Sequence, residues 1–131
     1  MGQIVILTGN LGRDPESRYM DSGTQVTNFS IATSEKWKDK DGNSHEETLW
    51  WKITAFGKLG EICNQYLKKG SKCQVVGKMK GDPQTGGPKI FKRTNGDSGA
   101  SYELRAENVE FLSSRGEGQS EPVEDDSTIP F

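Results

Sequence analysis

The most informative stretch of the chain is residues 48–70, TLWWKITAFGKLGEICNQYLKKG. Successive side chains of a strand point to opposite faces. The first part of the stretch divides into two such alternating sets of side chains, so residues 47–56 predict a strand. One face of this strand carries Leu49, Trp51, Ile53 and Ala55. The other face carries Thr48, Trp50, Lys52, Thr54 and Phe56. The first face is suited to line a barrel or a subunit contact, and the second places two aromatic rings around a lysine.

In the second part of the stretch, the spacing of the apolar residues changes from that of a strand to that of a helix. Apolar residues from Leu59 to Leu67 recur at helical spacing, which predicts an amphipathic helix with residues 68–69 in its last turn and Gly70 as its C-cap. Four further strands are predicted outside the stretch: residues 3–10, 26–33, 72–79 and 102–112. The segments between them are turn-rich residues 11–23, a polar excursion at 34–46 and a long loop at 81–100. Asp41-Gly42 in the excursion is a hairpin-turn signal, and the long loop is itself a candidate flexible hairpin.

Three strands, one helix and two more strands form the element order of an OB-fold. We therefore predict an all-β fold with one helix, a five-stranded Greek-key barrel, over residues 1–112. A generic small antiparallel barrel would show a similar order and is an open alternative. Residues 113–131 predict a short linker and a disordered acidic C-terminal tail.

The apolar content is low for a globular chain. Only 31% of the 131 residues are hydrophobic and 16 are glycines, which predicts a small core with many loops. No stretch approaches the length of a membrane span and no signal peptide is recognisable, so a cytoplasmic protein is expected. Cys63 and Cys73 have no CxxC spacing and no partner histidines, which predicts two reduced structural thiols.

Charge is distributed unevenly along the chain. The formal net charge is −2, which taken alone argues against a nucleic-acid partner. Residues 113–131, however, hold one arginine against five acidic residues, a net −4, and leave residues 1–112 at +2. The chain is therefore a slightly basic body with an anionic tail.

The C-terminus ends on apolar residues behind an acidic run. Chain termini are normally polar, whereas residues 124–131 read EDDSTIPF. Ile129, Pro130 and Phe131 have no local partner to bury them, and Asp125 and Asp126 keep the tip solvated. This pattern predicts a docking peptide that binds other proteins.

Aromatic residues stand beside cations in three separate segments. Trp50 and Phe56 flank Lys52 on the predicted strand, Lys36-Trp37-Lys38 lies in the polar excursion, and Lys89-Ile90-Phe91-Lys92-Arg93 lies in the long loop. Aromatic rings stack on nucleobases while cations neutralise phosphates, so the pattern predicts a single-stranded nucleic-acid site. We expect the rings to be open to solvent on one continuous track. The alternative for each segment is structural: a strand buried on both faces, or a loop with its ring tucked inward.

Signals for catalysis or metal binding are weak. His45 is the only histidine and lies in a polar loop. Asp39, Asp41 and Asn43 faintly resemble a calcium loop, but the required glycine is misplaced and no glutamate closes it. No nucleophile elbow, P-loop or HExxH motif is present. We predict a non-enzymatic protein with no metal and no cofactor.

Five groups of residues together resemble bacterial-type single-stranded DNA-binding proteins, including those carried by phages. Residues 10–20, NLGRDPESRYM, resemble the first-loop signature of that family. Further likenesses are ATSEKW at 32–37, TLW at 48–50 with AFGKL at 55–59, and YLKKGS at 66–71. The terminal residues Asp125-Asp126 and Ile129-Pro130-Phe131 resemble its partner-binding tip.

The resemblance implies a sequence-independent binder that protects single-stranded DNA and recruits replication, recombination and repair proteins through its tail. It implies base stacking on Trp37, Trp50, Phe56 and Phe91. It implies basic positions at Lys52, Lys58 and Lys69, beside Lys36, Lys38, Lys92 and Arg93 from the motifs above. A homotetramer in the cytoplasm, associated with the nucleoid, is also implied. Trp51 replaces a smaller polar ring that relatives carry at a subunit contact, and the linker at 113–122 is shorter than in many relatives.

Three rival functions remain open from the sequence. The first is an OB-fold RNA-binding or cold-shock-like module, which a competition between DNA and RNA oligomers would distinguish. The second is a protein-interaction adaptor, in which Trp37 and Phe91 would contact a protein. A nuclease is a more distant third.

Overall fold

The computed structural model describes residues 2–112. These residues form eight strands and one helix. The elements are β1 Val5–Leu11, β2 Glu16–Tyr19, β3 Gln25–Lys38, β4 Ser44–Phe56, α1 Gly57–Tyr66, β5 Lys72–Lys80, β6 Ile90–Lys92, β7 Ser98–Ala100 and β8 Tyr102–Phe111. The predicted tail lies outside the described residues.

Five of the strands close into a barrel. The main sheet has the order β1-β5-β8-β4-β3-β2, and β1 pairs again with β3 through Asn10↔Ala32 and Leu11↔Ile31, which joins the two sides. All pairings are antiparallel except β4 with β8, which is parallel. This closed arrangement with one helix confirms the predicted OB-fold. Within residues 2–112, no helix has the length and apolar character needed to cross a membrane.

The core is built from the inward faces of these strands. Its largest fully buried side chains include Ile31, Ile53, Leu104 and Val75. On β4, Ile53 and Ala55 are completely buried, as the alternation predicts, while Trp51 is half-buried. The Trp51 indole Nε1 donates a hydrogen bond to Thr33 Oγ1 at 3.1 Å. Burial of these side chains supplies most of the folding free energy, at roughly 25 cal/mol per Å² of apolar surface.

The helix ends earlier than predicted. It stops at Tyr66, and Leu67 is extended at φ −93° and ψ 148°. Leu67 is 4% exposed, so leaving the helix at this point puts its side chain into the core. Residues 68–69 are therefore beyond the last turn, and Gly70 is not the C-cap. Gly70 instead has φ +87° in the turn that leads into β5, where its N–H donates to Leu11 O at 2.9 Å.

The polar excursion predicted at 34–46 is mostly strand. β3 and β4 pair without a register break from Val26↔Phe56 to Lys38↔Ser44. They extend beyond the barrel as a two-stranded arm, residues 34–48, which is held by backbone hydrogen bonds rather than by core contacts. The turn lies at residues 39–43, with Gly42 at φ +85°.

Two other segments predicted as turn or loop also contain strands. The turn-rich segment 11–23 contains β2, which pairs with β3 from Glu16↔Asn28 to Tyr19↔Gln25. The long loop 81–100 contains a small hairpin, in which β6 pairs with β7. β2 consists of exposed residues without a hydrophobic pattern, so a reading based on buried residues misses it. The β6–β7 hairpin agrees with the candidate hairpin predicted in the long loop.

Cys63 and Cys73 are buried free thiols, as predicted. Burial raises the pKa of the Cys63 thiol to about 12, with a smaller contribution from the charge of Cys73. Burial raises the pKa of the Cys73 thiol to about 11. Both thiols are therefore kept in the unreactive protonated form, since the thiolate is the nucleophile.

Both thiols are expected to resist a thiol-specific chromogenic reagent at pH 8 in the folded protein and to react rapidly once it is unfolded. Unfolded thiols ionise near the ordinary value of 9.0. Their raised folded pKa therefore leaves stability intact below pH 9 and lowers it as the pH rises toward the folded values. Immediate labelling of both thiols in native buffer would contradict the burial.

Candidate nucleic-acid interface

The outer face of β4 carries the residues that the alternation predicts. Trp50 is 53% exposed and Lys52 is exposed, while Phe56 is half-buried. The β3 residues opposite Trp50 and Lys52 are Ala32 and Ser30, which are small. Because the neighbouring side chains are small, the large side chains protrude from the surface of the sheet, where a flat ligand has access to them.

Two adjoining clefts run along this face, and together we call them the groove. The first, about 540 Å³, is lined by Gly12, Arg13, Ser30, Thr48, Leu49, Trp50, Lys52, Ala100, Ser101 and Tyr102. The second, about 370 Å³, is lined by Arg13, Asp14, Glu16, Asn28, Phe29, Ser30, Lys52, Ile53, Thr54 and Glu103. Arg13, Ser30 and Lys52 line both clefts, so the two are continuous. Arg13 was not among the predicted site residues.

A glycine sets the position of the Trp50 ring. A Cβ atom at Gly12 would lie 2.7 Å from both Cη2 and Cζ3 of Trp50, closer than real Cβ atoms approach. The indole therefore packs directly on the backbone of the loop after β1. Gly12 lies within the family-like first loop, but no sequence pattern indicates that it supports an aromatic ring on another strand.

The β6–β7 hairpin brings Phe91 to the groove. The Phe91 ring is 37% exposed, and Lys52 Nζ lies 5.4 Å from its centroid. The Arg93 guanidinium lies 5.6 Å from the same ring. A Cβ at Gly99 would lie 2.8 Å from Phe91 Cε1, so a glycine again makes room for the ring. Lys92 is exposed on the other face of the hairpin from Phe91.

Phe56 has a cation of its own. The Arg105 guanidinium on β8 lies 4.5 Å from the Phe56 ring centroid, the shortest of the cation–ring distances among the described residues. Arg105 is exposed and alternates with buried Leu104 and Ala106. This alternation was visible in the sequence, but without the β4–β8 pairing nothing connected Arg105 to Phe56.

Trp37 and Trp50 lie on opposite faces of the β3–β4 hairpin. Trp37 pairs with His45, whereas Trp50 pairs with Ala32, and the odd and even positions of this unbroken register face opposite ways. The expectation of one continuous track through Trp37 and Trp50 is therefore wrong. On the arm, Lys36 and Lys38 share the face of Trp50.

The Trp37 ring is 47% exposed and is held by its neighbours. It stacks on His45 with 5.3 Å between ring centroids and 22° between planes. His45 Nε2 in turn hydrogen-bonds Asp39 Oδ2 at 2.9 Å. The backbone N–H groups of Asp41 and Asn43 donate to Asp39 Oδ1, each at 2.9 Å. These bonds, that of His45 first, lower the pKa of the Asp39 carboxyl below 3.8.

The remaining predicted residues lie apart from the groove. Lys58 and Lys69 are exposed near the two ends of α1, and neither lines the groove. The Lys69 backbone N–H donates to Asp14 Oδ1 at 2.8 Å, which places the Lys69 backbone beside the second cleft. Asp125, Asp126, Ile129, Pro130 and Phe131 lie outside the described residues. Residues 2–112 contain no group of three or more His, Cys, Asp or Glu side chains arranged to hold a metal ion.

The structure is an OB barrel with aromatic rings and cations beside one groove, an architecture that suits oligonucleotides or oligosaccharides, and sequence comparison gives the family. The model of the Single-strand binding protein family matches residues 3–112, and the chain belongs to this family.

Individual relatives agree with this assignment. The chain is 42% identical over 114 residues to a single-stranded DNA-binding protein of Xanthomonas axonopodis pv. citri, covering 87% of the chain and 59% of that relative. It is 42% identical over 113 residues to a single-stranded DNA-binding protein of Neisseria meningitidis serogroup B, covering 86% of the chain and 61% of that relative. The chain thus spans about three fifths of the length of these curated relatives.

Solved structures share the fold at lower identity. A Plasmodium falciparum SSB in complex with ssDNA superposes with a TM-score of 0.70 at 22% identity, covering 86% of this chain and 96% of that one. A deletion mutant of the single-stranded DNA-binding protein from Thermus aquaticus superposes with a TM-score of 0.66 at 22% identity, covering 88% of this chain and 52% of that one.

His45→Ala is expected to raise the pKa of Asp39 toward 3.8, because it removes the hydrogen bond that lowers this pKa most. Because the pKa of Asp39 is lower in the folded than in the unfolded chain, its carboxylate stabilises the turn at pH values above the unfolded pKa. This stabilisation is lost as the pH falls through the folded pKa. A carbon-detected NMR titration of the Asp39 carboxyl measures the shift. Lys40→Ala in the same turn is the control, and equal Asp39 titration in both variants would refute the assignment.

Proposed function

We propose that the chain is a non-catalytic protein that binds single-stranded DNA with little sequence preference and protects it. The observation that carries the proposal is the meeting of two segments at one groove: β4, with Trp50 and Lys52, and the β6–β7 hairpin, whose Phe91 ring centroid lies 5.4 Å from Lys52 Nζ. Family membership and the names of the relatives support the same ligand.

Base stacking is the main source of affinity in this proposal. Each stacked base contributes about 1–3 kcal/mol, and every base has a π-face, so stacking tolerates any sequence. Trp50 and Phe91 would hold neighbouring bases, with Phe56 further along β4. Bases held in this way are unavailable for pairing, so duplex DNA is expected to bind far more weakly.

Phosphate contacts add a salt-dependent contribution. Lys52 and Arg13 line both clefts and would neutralise phosphates, releasing condensed counterions. Asp14, Glu16 and Glu103 also line the second cleft, so the groove is not strongly basic. Together with the body's net charge of only +2, this leaves stacking a larger share of affinity than in a highly basic binder.

The arm provides a separate contact surface. Lys36 and Lys38 share the outer face with Trp50, whereas Trp37 faces the other way. A bound strand that reaches both Trp50 and Trp37 would therefore cross the edge of the arm. Lys58, Lys69, Lys92 and Arg93 would contact phosphates outside the two clefts.

We propose that the protein assembles as a homotetramer. β1 pairs with β3 only through Asn10 and Leu11, so among the described residues the edge of β1 before Asn10 has no strand on that side. Ile4 and Ile6 are 77% and 59% exposed along this segment. A free edge with apolar side chains is a template for a second copy of the chain.

The division of labour within the chain is also proposed. Residues 1–112 would bind DNA, and residues 113–131 would be a short linker and a tail that recruits replication, recombination and repair proteins. Phe131 would enter an apolar pocket on a partner, with Asp125 and Asp126 meeting basic residues there. A cytoplasmic, nucleoid-associated location follows from this role.

Fluorescence anisotropy with a labelled dT oligomer tests the binding. The wild-type chain is expected to bind, with affinity falling as salt rises, and Trp50→Ala is expected to cost about 1–3 kcal/mol because one stacking platform is lost. Tyr19→Ala is the matched control, since Tyr19 is an exposed ring on β2 that lines neither cleft.

Failure of the wild type to bind dT would overturn the proposed function. Equal losses of dT affinity in Trp50→Ala and Tyr19→Ala would show that the groove is not the binding site. An unlabelled RNA oligomer that competed better than its DNA counterpart would favour the RNA-binding alternative.

Removing residues 125–131 is expected to abolish capture of DNA-processing enzymes while leaving dT affinity unchanged or raised, because the anionic tail no longer competes for the groove. Affinity pull-down from a bacterial extract with mass spectrometry measures the first effect, and anisotropy measures the second. Phe131→Ala in the full chain is the matched variant. Loss of dT binding on truncation would assign the tail a structural role instead.

A further inference from the structure

The strongest unassigned feature is the contact between Arg105 and Phe56. The guanidinium lies 4.5 Å from the ring centroid, well within the range at which a cation is attracted to a ring face. Arg105 is exposed on β8 while Phe56 is half-buried on β4. The pair therefore presents the guanidinium outward, with the aromatic ring beneath it.

The surroundings leave Arg105 available for a ligand. Its cross-strand neighbours are Thr54 on β4 and Lys78 on β5. Of these, Lys78 is already paired with Glu107 at 3.5 Å. Neither of the two ion pairs found within residues 2–112 includes Arg105. Glu103 and Glu107 each lie two residues from Arg105 along β8; Glu103 lines the second cleft, and Glu107 is the partner of Lys78.

The chemistry of a guanidinium suits a nucleotide in this position. It is planar and always charged, it stacks on flat rings, and its N–H groups form a fork that matches phosphate oxygens. Nucleobases stack on arginine planes as they do on aromatic rings. The Arg105 guanidinium lies over the Phe56 ring and its side chain is exposed, so it has surface available for a base and N–H groups available for a phosphate.

We propose that Arg105 is a nucleotide-binding residue that extends the binding surface beyond the groove, across β8 toward β5, with Phe56 as the positioning residue beneath it. The base stacks on the guanidinium rather than directly on the Phe56 ring, and the adjoining phosphate is neutralised by the same side chain. This inference rests on the proposed binding of single-stranded DNA. It replaces direct stacking on Phe56 with stacking on Arg105, and it adds a direction to the bound strand.

The test compares dT affinity over a series of salt concentrations for the wild type, Arg105→Ala and Arg105→Lys. Arg105→Ala is expected to weaken binding about tenfold, as for a lost stacking platform. It should also reduce the slope of log affinity against log salt by about 1, as for a lost phosphate contact. Arg105→Lys should keep the slope, because the charge remains, and still bind more weakly than wild type, because the plane is lost.

Two further variants make the outcome decisive. Arg18→Ala removes one exposed arginine from β2, at the far edge of the sheet from β8, and is expected to leave affinity and slope near wild type. Phe56→Ala combined with Arg105→Ala should cost less than the sum of the single losses, because the two side chains form one platform.

Several results would overturn the inference. One is an Arg105→Ala variant that binds like wild type but melts at a lower temperature, since Arg105 would then only cap the Phe56 ring. Equal losses of dT affinity in Arg105→Ala and Arg18→Ala would show that the effect of Arg105 comes only from the net charge of the protein. If the wild type does not bind dT at all, the proposed function fails. That outcome is distinct from one in which the wild type binds dT and Arg105→Ala does not change the affinity.

Discussion

The structure depends on the alternation of side chains along β4. Ile53 and Ala55 are completely buried, and this fixes the register of the strand in the barrel. Once these two residues point inward, Trp50, Lys52 and Phe56 must point outward, because neighbours on a strand face opposite ways. A slip of one residue would bury the lysine and expose the core, so folding and the geometry of the groove are secured by the same constraint.

The groove then assembles by bringing other segments to this face. Gly12 lets the Trp50 indole rest on the loop after β1, and Gly99 gives the same space to Phe91. Phe56 and Phe91 each lie next to a cation, at 4.5 to 5.6 Å. In the proposed function, pairing of rings with cations would allow a body that carries a net charge of only +2 to offer stacking and phosphate neutralisation at the same places. The same alternation sends Trp37 to the reverse face of the arm.

Most of the fold was predictable because its signals are hydrophobic. The two faces of β4, the position of the helix and the buried thiols all follow from apolar periodicity. What the sequence did not reveal depends on backbone pairing or on contacts distant in the chain. The arm and β2 are stabilised by hydrogen bonds between largely polar strands. The helix ends early because Leu67 turns into the core, and Arg105 meets Phe56 only through the parallel pairing of β4 with β8.

The three tryptophan side chains provide the most direct test of the account, because each occupies a different position. Each indole N–H gives its own NMR signal, and Trp51 already donates its N–H to Thr33. On addition of a dT oligomer, the Trp50 indole signal is expected to shift strongly while the Trp51 signal stays in place. A shift of the Trp51 signal with the Trp50 signal unmoved would show that the outward face of β4 is not the binding face, and would contradict the account.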